Sequence, residues 1–391
     1  MANKWEYIPF EQAVEICDSL RKPINSKERT NRIAGKKQSD LYPYYGATGQ
    51  VGFIDEYITD GEYVLLGEDG APFLNAFAAK AYIISGKTWV NNHAHVLKSK
   101  GNNRFLCYYL NSINYKGLVS GTTRLKLTQG QMKQISIPDV PLPEQERIVT
   151  HIEELFSELD KAVETLQTTK QQLAVYRQSV LKEAFEGDYP KIQLKEISTT
   201  ISGYAFKSKK YTPDGEYIVV KIGNVKERHF DFSRDLTRTN EADGNILDKY
   251  LLRHGDCLIT LTGSRGKRDY GYVTMIDKES NYLLNQRVAA LRFDETKALP
   301  EYFQYYLSSP DYRNKFFSYE TGNVGQGNVG IKALWEPTIL LPSIEEQKKI
   351  VEEIESRLSV CESIEQTVDT ALAQADAMRQ SILKQAFEGG F

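Results

Sequence analysis

The sequence predicts a mixed α/β (α+β) chain in which two globular blocks are separated by two long helices that pair as an antiparallel coiled coil, the whole forming a pseudo-twofold internal repeat. Three observations carry this. Sliding the chain on itself by 202 residues aligns Glu144–Gly187 with Glu346–Gly389 without a gap, and about 19 of 44 positions are identical. Within both copies apolar residues recur at steps of three and four, with no Pro or Gly until the end. More faintly, Gly61-Glu62-Tyr63-Val64-Leu65 matches Gly255-Asp256-Cys257-Leu258-Ile259, and Tyr108-Tyr109-Leu110 matches Tyr305-Tyr306-Leu307.

A chain of 391 residues can form two or three domains with cores of their own. It has no signal peptide, and its longest apolar runs, such as Tyr217–Ile222, are too short to span a bilayer. Cys17, Cys107, Cys257 and Cys361 lack CxxC spacing, so they read as reduced thiols rather than as a zinc site or a disulfide framework. The net charge of -3 hides an alternation. Lys and Arg against Asp and Glu give about 17 to 13 in residues 1–143 and 22 to 19 in 190–342, but about 5 to 10 in both 144–189 and 343–391.

The elements follow in that order. Block one, residues 1–143, holds β-rich runs at Tyr63–Leu66 and Ala81–Ser85 and a helical stretch at Arg104–Ile113. The first helical region, 144–189, carries a seam of Ile148, Ile152, Leu155, Leu159, Ala162, Leu166, Leu173, Tyr176 and Val180. Block two, 190–342, has runs at Tyr217–Ile222, Cys257–Leu261 and Val288–Phe293 and a helical stretch at Pro300–Ser308. The second helical region, 343–391, repeats the seam with Ile350, Ile354, Leu358, Cys361, Ile364, Val368, Ala371, Ala375, Met378 and Ile382. Gly187 and Gly389 sit where helix C-termini are expected. A helix of about 40 residues is ~60 Å long, and helix two must return along helix one if the seams are to meet within one chain. Pairing of each helix with another molecule is the alternative.

The tracts IPDVPLPEQERIV (Ile137–Val149) and LLPSIEEQKKIV (Leu340–Val351) each precede a long helix that closes in RQS[VI]LK[EQ]AFEG. In this the chain resembles the specificity subunit of type I restriction-modification systems, over its whole length and in its order of parts. The resemblance implies two target-recognition domains, 1–143 and 190–342, and two conserved helical spacer regions. It also implies a non-catalytic reader of double-stranded DNA, each recognition domain taking one half of a bipartite, asymmetric target. The helices would set the spacer and dock two modification subunits, and restriction subunits would join them. S-adenosylmethionine is then expected in the modification subunits and ATP and Mg in the restriction subunits, with no cofactor on this chain, no membrane, and a cytoplasmic location.

Basic residues mixed with Tyr, Asn and Gln are the chemistry expected at a DNA groove, where Lys and Arg neutralise phosphates and Arg, Asn and Gln make bidentate contacts to base edges. Block one offers Lys36, Lys37, Tyr44, Asn91, Asn92, Arg124 and Lys126. Block two offers Lys207, Lys209, Lys210, Ser264, Arg265, Lys267, Arg268, Gln286, Arg287, and Gln326 and Asn328 within the Gly322–Gly330 tract. For any one cluster, a solvated loop accounts for the residues as well. Ser264, Arg265, Lys267 and Arg268 rank highest in block two because block one has Gly67-Glu68-Asp69-Gly70 after the matching strand; Glu68 and Asp69 read as a structural turn.

His93-Ala94-His95 has no further His or Cys placed to complete a metal site. Pro213-Asp214 with Glu216 and Lys221 has the wrong interval for a PD-(D/E)xK nuclease, and neither GxxxxGK[ST] nor [DN]PP[FY] occurs. The competing readings are the equivalent subunit of a type IIB-like restriction system, a coiled-coil scaffold whose globular ends bind proteins, and an enzyme with an unrecognised site. Salt-sensitive, sequence-specific DNA binding separates the first from the scaffold.

Overall fold

A computed structural model describes residues 5–233, 235–278, 281–322 and 325–388. The chain divides into two compact units, one holding the chain up to Thr168 and again from Val368, the other holding Thr169–Thr367.

In the first unit a central sheet joins β1 (Val14–Ile16), β2 (Tyr63–Gly67), β3 (Ala81–Ile84) and β4 (Ala94–Ser99) in the order β1-β4-β2-β3, every pairing antiparallel. Both faces of β2 are covered, which is why its sequence is continuously apolar. Val64 and Leu66 join the core with Phe105, Leu106 and Leu110 of helix α1 (Asn103–Ser112), while Leu65 on the other face joins Ile84 and Val96. The side chain of Asn102 accepts the Arg104 and Phe105 N–H groups and so starts α1. A second sheet runs Gly49–Ile54, Tyr42–Gly46, Lys87–Val90, Thr59–Asp60, with Tyr44 beside Trp89 in its parallel pairing.

The second unit repeats the plan. Strands β5 (Ser198–Ser202), β6 (Cys257–Thr260), β7 (Val273–Met275) and β8 (Val288–Phe293) lie in the order β5-β8-β6-β7, again all antiparallel, with helix α2 (Pro300–Ser308) against them. Its second sheet also has one parallel pairing, Ile218 beside Tyr282. The faint likeness between blocks therefore extends to strand order. The run expected to reach Ile222 stops at Val220, because the Lys221 N–H turns to the side-chain oxygen of Asn224.

The long helices span Leu142–Glu183 and Ile344–Glu388. Gly187 lies beyond the first helix rather than at its last turn, since a tighter turn closes on Glu183 through the Glu186 N–H; Gly389 lies outside the described residues. Ile148, Ile152, Leu173 and Val180 are buried, Leu155, Leu159 and Leu166 half-buried. On the second helix Ile350, Ile354, Leu358, Cys361, Val368 and Ala375 are buried, Ala371 and Ile382 half-buried.

Four seam assignments need correction. Ala162, Tyr176, Ile364 and Met378 are exposed. The inward positions step 354, 358, 361, 365, 368, 372, 375, 379, so Glu365 and Arg379 occupy places assigned to their apolar neighbours. In the second unit Arg177 bonds Glu365 at 2.7 Å and Glu183 bonds Arg357 at 3.0 Å, so there the two stretches run in opposite directions. In the first unit Arg379 pairs with Asp160 and stacks over Phe156.

Each unit holds the start of one long helix at a fixed point. Gln145 accepts the Asn102 N–H at 2.9 Å and donates to Val140 O at 2.7 Å. Its counterpart Gln347 accepts the Leu299 N–H at 2.8 Å and donates to Lys297 O and Pro342 O, each at 2.9 Å. The Gln of each Glu-Gln pair thus ties a helix start to the loop before α1 or α2.

Candidate nucleic-acid interface

In the second unit β6 continues into a small sheet in which Thr262–Gly263, Gly327–Val329 and Glu320–Thr321 pair in that order. This brings the Gly263–Arg268 loop against the Gly-rich tract, so Arg265, Lys267, Arg268, Gln326 and Asn328 share one exposed surface. Asp269 organises the loop by accepting the Ser264 N–H at 2.6 Å and its hydroxyl at 3.0 Å, and the backbone bond foremost holds the Asp269 carboxyl below its ordinary range. Arg268 takes a left-handed backbone (φ 48°) and lays its guanidinium 4.9 Å from the Phe317 ring centre. Arg287 adjoins this surface, its carbonyl accepting the Leu261 N–H at 3.1 Å, and Gln286 beside it is exposed. Lys207, Lys209 and Lys210 are exposed on a separate turn.

The first unit has the corresponding element with different chemistry. The Ser120–Lys126 loop folds onto the turn after β2: Asp69 bridges to Lys126, and the Leu127 N–H donates to Glu68 O at 2.7 Å. Gly121 and Gly322 hold equivalent places, with φ of +96° and +123°; a Cβ would stand 2.4 Å from Arg124 O and 2.3 Å from Gln326 O respectively. Only glycine fits there. Glu68 pairs with Arg21 and with Lys126 at 3.2 Å, and Asp69 pairs with Arg124 at 2.7 Å and with His93 at 2.7 Å. Burial raises the Glu68 carboxyl, but the Arg21 and Lys126 cations outweigh it and hold it below its usual range. Lys36 is paired at 2.6 Å with Asp55, while Lys37 and Asn92 are exposed.

Two candidates are interior residues. Tyr44 is buried with Ile54 and Trp89, its face against the Arg29 guanidinium, because the parallel pairing turns this side of its strand inward. Asn91 is buried as well, its side-chain oxygen capping the His93 N–H at 2.8 Å. Neither is available to a groove. His95 is also buried, with Nδ1 2.8 Å from Asp18 and Nε2 3.0 Å from Leu127 O. Among the described residues no group of three or more His, Cys, Asp or Glu could hold a metal ion.

Sequence reasoning points to Asn91-Asn92-His93 and weighs Asp69 as a turn, but it does not mark Glu320 or Arg21 as contributors to these surfaces. Ser120-Gly121 and Thr321-Gly322, 201 residues apart, were the available signal that the two loops correspond.

Residues 5–174 and 186–373 match the family model described as the type I restriction modification DNA specificity domain. The chain is 27% identical over 386 residues to a putative type I restriction enzyme specificity subunit of Haemophilus influenzae, covering 95% of this chain and 92% of that one. It is 26% identical over 306 residues to the EcoKI specificity subunit of Escherichia coli, covering 73% and 65%. The fold is shared with a chain solved in work on complex assembly and conformational transition of the type I R-M system (TM-score 0.72, 16% identity, 100% and 99% covered). It is also shared with the HsdS subunit of Thermoanaerobacter tengcongensis (TM-score 0.57, 16% identity, 100% and 98% covered).

Proposed function

Since the chain belongs to the family of type I restriction-modification DNA specificity subunits, we propose that it is the non-catalytic address of a modification and restriction complex, each unit reading one half of a bipartite DNA target. The observation that carries this is the duplication itself. Two units share one strand order and one loop-on-turn element, but differ in the side chains those loops present. Similar scaffolds with different loop chemistry suit two half-sites of different sequence.

The two long helices pair as an antiparallel coiled coil and act as the ruler between half-sites. The 4-3 spacing of their buried residues and the Arg177–Glu365 and Arg379–Asp160 pairs support this reading. The same helical regions dock two modification subunits, which hold S-adenosylmethionine, and restriction subunits with ATP and Mg complete the assembly. No described helix is long and apolar enough to cross a membrane, and we place the complex in the cytoplasm with its DNA. Mapping methylated bases in the source cell with and without this gene tests the proposal: one bipartite motif should disappear. Retention of every bipartite motif would remove its basis.

A further inference from the structure

The two candidate surfaces share an arrangement that the charge counts conceal: an exposed guanidinium braced by a carboxylate from the neighbouring loop. In the first unit Arg124 donates to Asp69 Oδ1 at 2.7 Å, and the same oxygen meets His93 Nδ1 at 2.7 Å. Arg124 also lies across Gly70 (φ +73°), where an added Cβ would stand 3.1 Å from its Nε. In the second unit Arg265 donates through Nη1 to Gly322 O at 3.1 Å, and its Nε faces Glu320 Oε2 at 3.4 Å. Glu320 is itself fixed by the Tyr270 hydroxyl. The two arginine side chains are 61% and 46% exposed and the two carboxylates 22% and 12%, so each fork reaches solvent from a rigid base.

The parts have exchanged places. In the first unit the arginine is on the later loop and the carboxylate on the turn after β2; in the second the arginine is on the turn after β6 and the carboxylate on the later strand. Ion pairs this exposed contribute little to stability, which gives no reason to build the brace twice with its ends reversed. Presenting a fork of N–H donors in a fixed plane does give one. A guanidinium tied at one edge keeps its other donors free and loses less freedom on docking.

We infer that Arg124 and Arg265 are guanine-reading side chains, one for each half-site, donating to O6 and N7 in the major groove, with Asp69 and Glu320 as positioning residues. This rests on the DNA recognition proposed above. It requires that each half of the target contain a G·C pair, read by the fork.

The test uses the complex of this chain with its modification subunits. Methylation is measured on duplexes in which each base pair of each half-site is replaced in turn. Arg124→Ala should lower discrimination about ten- to a hundred-fold at one G·C position of one half-site and leave the other half-site unchanged; Arg265→Ala should do the reverse. The unaffected half-site reports that the variant is folded and assembled. Arg124→Lys, which keeps the charge but not the fork, should share the loss, and Asp69→Asn should show part of it at the same position. A half-site without a G·C pair, or unchanged discrimination in Arg124→Ala, would overturn the inference. So would a uniform weakening over all sequences with a shallower salt dependence, the mark of a phosphate contact. Persistence of all bipartite methylation after loss of the gene would instead defeat DNA recognition itself.

Discussion

Phe387, in the last turn of the second long helix, stands edge-on to Phe105 of α1, with ring centres 5.2 Å apart and planes at 71°. Phe185, just past the end of the first long helix, meets Tyr302 of α2 in the same way at 5.3 Å and 87°. Each ring also touches the residue one turn further along its target helix, Tyr109 and Tyr306 respectively. The Phe of the repeated Ala-Phe-Glu-Gly ending is therefore the residue that fixes a helix end to a globular core. Phe185→Ala and Phe387→Ala should each destabilise the protein by about 3–5 kcal/mol, as expected for deleting a buried aromatic ring. The exposed Met378→Ala on the same helix should stay within about 0.5 kcal/mol. Denaturant midpoints of the three variants check this.

Glycine at 121 and 322 is a requirement of the loops, not a mark of flexibility. Both have positive φ, and in both an added Cβ meets a backbone oxygen at 2.4 Å or less. Gly121→Ala and Gly322→Ala should each cost more than about 1 kcal/mol. Gly130→Ala, on a short helix with nothing within 4 Å, should be neutral or mildly stabilising. Thermal unfolding of the three variants distinguishes these outcomes.

Two carboxylates of the first unit, Asp18 and Glu68, make its stability depend on acid pH. Burial raises the Asp18 carboxyl, but hydrogen bonds from His95 and the Val96 N–H, together with Arg21, hold it below its ordinary value; Glu68 is lowered as well, by Arg21. A depressed folded-state pKa contributes stability that is present above the unfolded value, near 4, and is lost as pH falls through the folded one. Asp18→Asn should therefore be less stable than the parent at neutral pH, with the gap closing below about pH 4. Stability against denaturant over a pH series would contradict this if the gap stayed constant.

The repeat, the helical spacing and the principal strands are legible in the sequence because each depends on local periodicity. The seam at 364–365 is not. Ile364 reads as inward by composition, and only the 4-3 register, with Arg177 waiting across the interface, turns Glu365 inward instead. Tyr44 reads as a groove-facing aromatic for a similar reason, since a parallel pairing with a strand some 45 residues away decides which side is core. The role of Asp69 depends on Arg124, 55 residues distant, and no local pattern announces it.

If each unit reads its own half-site, exchanging residues 190–342 for the second domain of another family member should replace one half of the methylated motif. The other half and the spacer should remain. A methylome of cells carrying the hybrid measures both together. A changed spacer would contradict the assignment of the ruler to the helices.

If the long helices set the spacer as proposed, the prediction is metric. At 1.5 Å per residue, removing one heptad from each long helix shortens it by ~10 Å, which corresponds to about three base pairs at ~3.4 Å each. The heptad matters because a number that is not a multiple of seven rotates the seam: Arg177 would no longer face Glu365, nor Arg379 Asp160. Three base pairs also turn the DNA by about a third of a helical repeat, given 10–10.5 base pairs per turn, so the second half-site changes its face as well as its distance. The shortened protein should therefore methylate a motif with the same half-sites and a smaller spacer, or lose activity while still folding and binding its modification subunits. Methylation of the original spacing at an undiminished rate would show that spacer length is set elsewhere than in the paired helices.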